Sequence, residues 1–122
     1  MTATIATLIV CLTSSSSSSP EPATILHYPP GLFERVARVR VRQGYHLPKT
    51  EGFAAVPDCS RIGQVIWVQV GQKRARVTVA DCARPRDYKR LKARNTVELD
   101  YRTAVRLGVV KHGRVRGWCW SE

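Results

Sequence analysis

The sequence predicts a mainly β fold, a sandwich or closed barrel of about six short strands with one helix in front of the barrel and one small helix late. Two observations carry this. Short β-branched or aromatic runs recur along the chain and are cut by Gly- and Pro-containing turns. The chain has 122 residues and a hydrophobic fraction of 43%, enough for one globular domain and too apolar for wholesale disorder.

Ala23 to His27 reads as the first strand, stopped by Tyr28-Pro29-Pro30-Gly31, a turn that neither a helix nor a ladder continues through. Leu32, Phe33, Val36 and Val39 keep helical spacing, whereas Arg38 to Arg42 alternates as a strand does; the spacing favours a helix to about Arg40. Gly52 to Val56 is a short strand ended by Pro57, and Val65 to Val70 is the clearest strand, closed by Gly71. Ala75 to Val79 alternates and pairs back on it through a turn near Gly71-Gln72-Lys73. Asp81 to Arg94, with Pro85 inside it, reads as a polar loop with at most one helical turn. Thr96 to Leu99 is a brief strand. Asp100 stands at a helix N-cap before Tyr101 to Leu107, with Gly108 as the stop. Arg114 to Trp120 alternates as the last strand. Trp67 is expected in the core, and Trp118 and Trp120 on one strand face completing a core edge. Tyr28, beside its Pro-Pro turn, is expected to be exposed.

Ahead of this domain (23–120), residues 1–13 form an apolar segment without charge, too short for an ordinary spanning helix and of the length of a signal-peptide core. Leu8-Ile9-Val10-Cys11 loosely resembles a lipidation box, with Val10 larger than that site normally accepts. Residues 14–22, a serine run and Pro20-Glu21-Pro22, read as a tether. The layout is that of a secreted or envelope-held, monomeric protein whose only membrane contact is this segment.

The charge is +11, from twenty Lys and Arg against nine Asp and Glu, and all the Lys and Arg lie after residue 31. Arginine outnumbers lysine fifteen to five, which suits carboxylate or phosphate partners. No C-x-x-C pair or Cys/His cluster has zinc spacing, so no metal or other cofactor is expected. His27, His46 and His112 suggest no triad. A bridge between Cys59 and Cys82 would contribute about 3 kcal/mol; the alternative is buried thiols. Cys119 is left over, buried, free or paired with Cys11.

The order of several motifs resembles the double-psi β-barrel of rare lipoprotein A-like proteins, expansins and barwin-like domains. Val77-Thr78-Val79-Ala80-Asp81-Cys82-Ala83 is similar to the family's V-x-V-x-D strand end. Val97-Glu98-Leu99-Asp100-Tyr101, then Thr103-Ala104 and Leu107-Gly108, resembles its Leu/Ile-Asp-Leu-Ser segment, alanine-bearing helix and L-G. Ala23 to Gly31 resembles the first strand with its threonine and tyrosine, and Asp58-Cys59-Ser60 with Ile62-Gly63 resembles the disulfide-bearing bacterial branch. The resemblance covers residues 23–117. It implies a six-stranded double-psi β-barrel with one or two short helices, a Cys59–Cys82 disulfide, and a polysaccharide groove lined by Asp81 and Asp100. Thr24, His27 and Tyr28 would contact sugar, and Arg84 and Arg86 would hold its anionic groups. The chain departs from the pattern at Cys82-Ala83-Arg84-Pro85 after the first acid and at Asp100-Tyr101-Arg102 after the second.

Two carboxyls at one groove split their proton affinities, and the one kept protonated can donate to a glycosidic oxygen. Arg74, Arg76, Arg84 and Arg86 nearby in sequence pull the other way, toward a salt-bridged binding site. The first functional reading is therefore an exported barrel that binds an anionic, peptidoglycan-like wall glycan, with lytic transglycosylase-like cleavage left open. The alternatives are a nucleic-acid-binding barrel, disfavoured by export, and a non-enzymatic inhibitor or effector scaffold.

Overall fold

The structure, a computed structural model, describes residues 18–122; the signal-like segment, Cys11 and most of the serine run lie outside them. The element order is β1 (Glu21–His27), α1 (Leu32–Arg42), β2 (Gly52–Val56), β3 (Val65–Val70), β4 (Lys73–Cys82), α2 (Tyr88–Ala93), β5 (Thr96–Leu99), α3 (Tyr101–Arg106), α4 (Val109–His112) and β6 (Val115–Ser121). Single 3-10 turns occupy Cys59–Arg61 and Pro85–Asp87. The fold is a mainly β, six-stranded barrel with short helices, as expected. No described helix is long and apolar enough to cross a membrane.

The strands close in the order β1-β5-β2-β4-β3-β6. β1 runs parallel to β5 and β2 parallel to β4, while the other four seams are antiparallel. Exchanging β1 with β4, β2 with β5 and β3 with β6 returns the same closed order, so the topology has an internal two-fold. The two seams that map onto themselves, β2–β5 and β3–β6, lie on opposite sides of the barrel. Closure leaves no sheet edge unpaired.

Ile25, Ile66, Val68, Val77, Val79, Val97 and Leu99 fill the interior, each less than 2% exposed. Ala104 of α3, Leu107 at its C-cap and Val109 of α4 pack on the same core. A second cluster sits outside the barrel wall. There the fully buried Phe33 of α1 packs with Ala55 and Ala80, and Tyr28, Val36 and Phe53 close round it. Burying a phenylalanine stabilises by about 1.5–3 kcal/mol, which fixes α1 on the wall.

Several expectations are corrected. β1 begins at Glu21, inside the stretch read as tether. β4 runs on through Cys82, and the helical turn expected within the loop is a six-residue helix, Tyr88–Ala93, which starts after Pro85 and loses no hydrogen bond to it. α4 was not anticipated. The tryptophans point outward: Ile66 and Val68 of β3 and Gly117 and Cys119 of β6 take the inward positions, leaving Trp67 and Trp120 partly covered and Trp118 45% exposed. The outer face of β3 carries one polar residue, Gln69, beside Val65 and Trp67, so alternation marks that face only weakly.

Gly52 has a specific steric role. A β-carbon there would collide with Thr103 Oγ1 and Asp100 Oδ1. The close approach lets the Asp100 carboxylate accept from Phe53 N (2.8 Å) and from Thr103 N (3.2 Å), so one side chain both caps α3 and ties it to β2.

Cys59 and Cys82 form a disulfide with their Cα atoms 4.9 Å apart, joining the turn after β2 to the end of β4 across 23 residues. Cys119 is buried and has no disulfide partner among the described residues, and burial pushes its thiol pKa up. Replacing Cys59 and Cys82 by alanine is expected to cost about 3 kcal/mol, read as a lower midpoint in denaturant by circular dichroism, with a steeper transition because the uncrosslinked chain exposes more surface.

Candidate functional site

The register of three strands builds the site. Ala55 of β2 pairs with Asp81 of β4 on one side and with Glu98 of β5 on the other. Cross-strand partners share a face, so the two acids flank one small residue on the outer wall, with backbones about 10 Å apart. A bulge between Ala54 and Ala55 sets this register. Ala80 falls in the bulge and joins the outer cluster under α1.

Asp81 is held on every side. Tyr28 donates its hydroxyl to Oδ2 (2.8 Å), and Arg40 donates from Nη2 to Oδ1 (2.9 Å). The amide of Cys82 also donates to Oδ1 (2.9 Å). Arg40 is itself anchored through Nε to the Ala80 carbonyl (3.1 Å), the oxygen exposed by the bulge. Tyr28 stacks on Phe33 with ring centroids 4.2 Å apart. Burial, followed by the charge and hydrogen bond of Asp81, pushes the Tyr28 hydroxyl far above the usual tyrosine range. It is a fixed donor at neutral pH.

Glu98 is the contrasting partner. Among the described residues it has no hydrogen-bond or ion-pair partner within contact distance. Burial first, and the negative charge of Asp81 second, raise its pKa; Arg90 and His27 oppose this without cancelling it. Two carboxyls share the face, one fully hydrogen-bonded and one poorly solvated, which is the arrangement that separates acid from base. A hollow of about 20 Å³ beside them is lined by Tyr28, Ala55, Val56, Pro57, Cys82, Ala83, Leu91, Thr96 and Glu98. It admits a small group or a water.

The expected site residues divide as follows. Asp81 and Tyr28 come to this face, Tyr28 half-buried rather than exposed, while His27 keeps the register of Ile25 and Leu99 and acts on Glu98 only through its charge. His27 sits at the end of β1, its Nδ1 3.2 Å from the Tyr28 carbonyl and its ring edge-on to Tyr101 at 5.8 Å. Asp100 is only 6% exposed, and its described bonds are structural. It borders a different cleft, of about 780 Å³, between α1 and the loop Leu47–Gly52. No described contact joins it to Asp81. Thr24 is buried beside Arg94 and Arg116, remote from Tyr28 along β1. Arg84 and Arg86 are exposed, Arg84 lying 3.7 Å from Asp87. Arg74 is exposed on β4, and Arg76 pairs with Glu122. The cation on Asp81 is Arg40 instead, from the helix.

Sequence reasoning missed Glu98 and Arg40. The acid–Leu–Ser pattern fits the sequence in two registers. The one that puts the helix cap at Asp100, where the serine stands, puts the acid at Glu98. The cap itself was the available signal.

No protein-family model and no curated protein matches this chain.

Replacing Glu98 by glutamine is expected to stabilise the fold at neutral pH. A raised folded-state pKa means that Glu98 favours folding when protonated, and that this contribution is lost as pH rises through the raised value. Glutamine keeps the neutral form. The gain in melting temperature over the parent is therefore present above that value and vanishes below the pKa of a free glutamate, near 4.3; paired melts across pH 3–8 measure it.

Proposed function

We propose that this domain is an exported, double-psi-type barrel that binds peptidoglycan-like wall glycan and cleaves it by a lytic transglycosylase-like reaction, with Glu98 as the proton donor. The observation that carries the reading is the Asp81–Glu98 pair across Ala55: one carboxylate locked by Tyr28, Arg40 and a backbone amide, the other raised in pKa beside it. The two-fold strand order and the motif order support the double-psi assignment. The disulfide is compatible with an oxidising, extracellular setting.

In the proposed reaction the Glu98 carboxyl gives its proton to the glycosidic oxygen as the bond to the anomeric carbon breaks. The negative charge of Asp81 stabilises positive charge developing on the sugar. A hydroxyl of the same sugar then closes on the anomeric carbon and returns its proton to the Glu98 carboxylate. No water is consumed and the donor is regenerated. Tyr28 borders the path. Arg38, Arg42, Lys49 and Arg102 around the larger cleft supply the positive field that holds an anionic polymer nearby.

Glu98→Gln is expected to abolish release of anhydro-sugar products from purified peptidoglycan, a loss of roughly 100-fold or more, while sedimentation with the insoluble polymer persists. Asp81→Asn is expected to lose turnover as well. In the parent, turnover falls as pH rises through the raised Glu98 value. Turnover retained by a folded Glu98→Gln protein would remove the catalytic role and leave a binding domain.

A further inference from the structure

All three tryptophans of the chain lie together on the outer wall at the β3–β6 seam, opposite the acid pair. Register aligns Arg76, Trp67 and Trp120 in one cross-strand row, and Arg74, Gln69 and Trp118 in the next. Trp67 and Trp120 are near-parallel, with planes 12° apart and centroids 6.2 Å apart. Arg116 is exposed on the same face of β6, two residues before Trp118. Among the described residues neither Arg74 nor Arg116 has an ion-pair or hydrogen-bond partner. The acids on this side are Glu122, held by Arg76, Glu51, which accepts from the Arg76 amide and pairs with Arg106, and Glu21, exposed at the start of β1.

We propose that this face docks on an anionic bilayer surface. Tryptophans beside unpaired arginines have the composition of a membrane-interface surface, in which amphipathic rings sit at headgroup level and cations attract anionic lipid. The route of the chain points to the same occupant. Ser18 Oγ accepts from the Ser121 amide (3.3 Å) next to Trp120, so the described chain enters the fold at the end of β6, beside this face. From Leu12 to Ser18 a fully extended chain spans only about 20 Å. A segment inserted in a bilayer would hold the tryptophan face against that surface and turn the β2–β5 seam, with Asp81 and Glu98, away from it. The expectation that only the amino-terminal segment meets the membrane is thereby extended to the fold itself. The proposal stands independently of Glu98 chemistry.

Because every tryptophan is on this face, intrinsic fluorescence reports its docking directly. The full chain is mixed with vesicles of phosphatidylglycerol and phosphatidylcholine, with or without spin-labelled lipid quenchers near the headgroups. The expected result is a blue shift of emission and quenching in the vesicle-bound protein. The Arg74→Gln/Arg116→Gln variant, with its fold checked by far-UV circular dichroism, is expected to need roughly tenfold more anionic lipid for the same shift. Protein that sediments with the vesicles while its emission stays unshifted and unquenched would overturn the proposal, as would failure to sediment. Emission that responds to soluble peptidoglycan fragments and not to vesicles would overturn it in favour of a glycan-binding face.

Discussion

The pairing of one short strand with two neighbours governs the rest of this molecule. β2 is five residues long, yet it lies between β4, which runs with it, and β5, which runs against it. That placement sets an acid on each side of Ala55. A larger side chain at Ala55 would stand between them and disturb the packing of Phe33 against the wall. The bulge at Ala54/Ala55 matters equally, because it carries Asp81 onto the outer face and turns the Ala80 carbonyl toward Arg40. The disulfide at the end of the same seam holds β4 to the turn that follows β2.

From this constraint comes an electrostatic asymmetry. Asp81 receives a hydroxyl, a guanidinium and an amide, so its charge is well compensated. Glu98 receives none of these and is partly removed from water, so its charge is disfavoured and Asp81 disfavours it further. The protein's positive charge does not reverse this, because the exposed arginines on α2 and the preceding turn point into solvent or toward Asp87. Tyr28 is the link between the hydrophobic cluster and the acids: one side of its ring rests on Phe33 and its hydroxyl reaches Asp81.

Much of the fold was legible in the sequence, because its signals are local. Turn residues bound every strand, Asp100 caps α3 as its position indicated, and the bridge joins Cys59 and Cys82. Face assignment failed at the tryptophans. Trp67 was read as interior because Val65 to Val70 is apolar apart from Gln69, although Gln69 stands on its face, and Trp118 and Trp120 were read as a core edge although Arg116 shares theirs. The site was half legible. Asp81 and Tyr28 were found through motif order, but their partners depend on closure: Arg40 is 41 residues from Asp81 in the chain, and Glu98 meets Asp81 only through β2. Asp100 was taken for the second acid because its acidic side chain is as visible in sequence as that of Glu98. Its hydrogen bond from Phe53 N shows that, besides capping α3, it is a strut to β2.

The central claim is that Asp81 and Glu98 sense one another across Ala55 and that Glu98 holds its proton the longer for it. Carbon-detected NMR titration of the glutamate side-chain carboxyls tests this most directly. The account predicts a Glu98 midpoint above that of a free glutamate, moving down when Asp81 is replaced by asparagine. A Glu98 midpoint at the ordinary value, unmoved by that replacement, would contradict it.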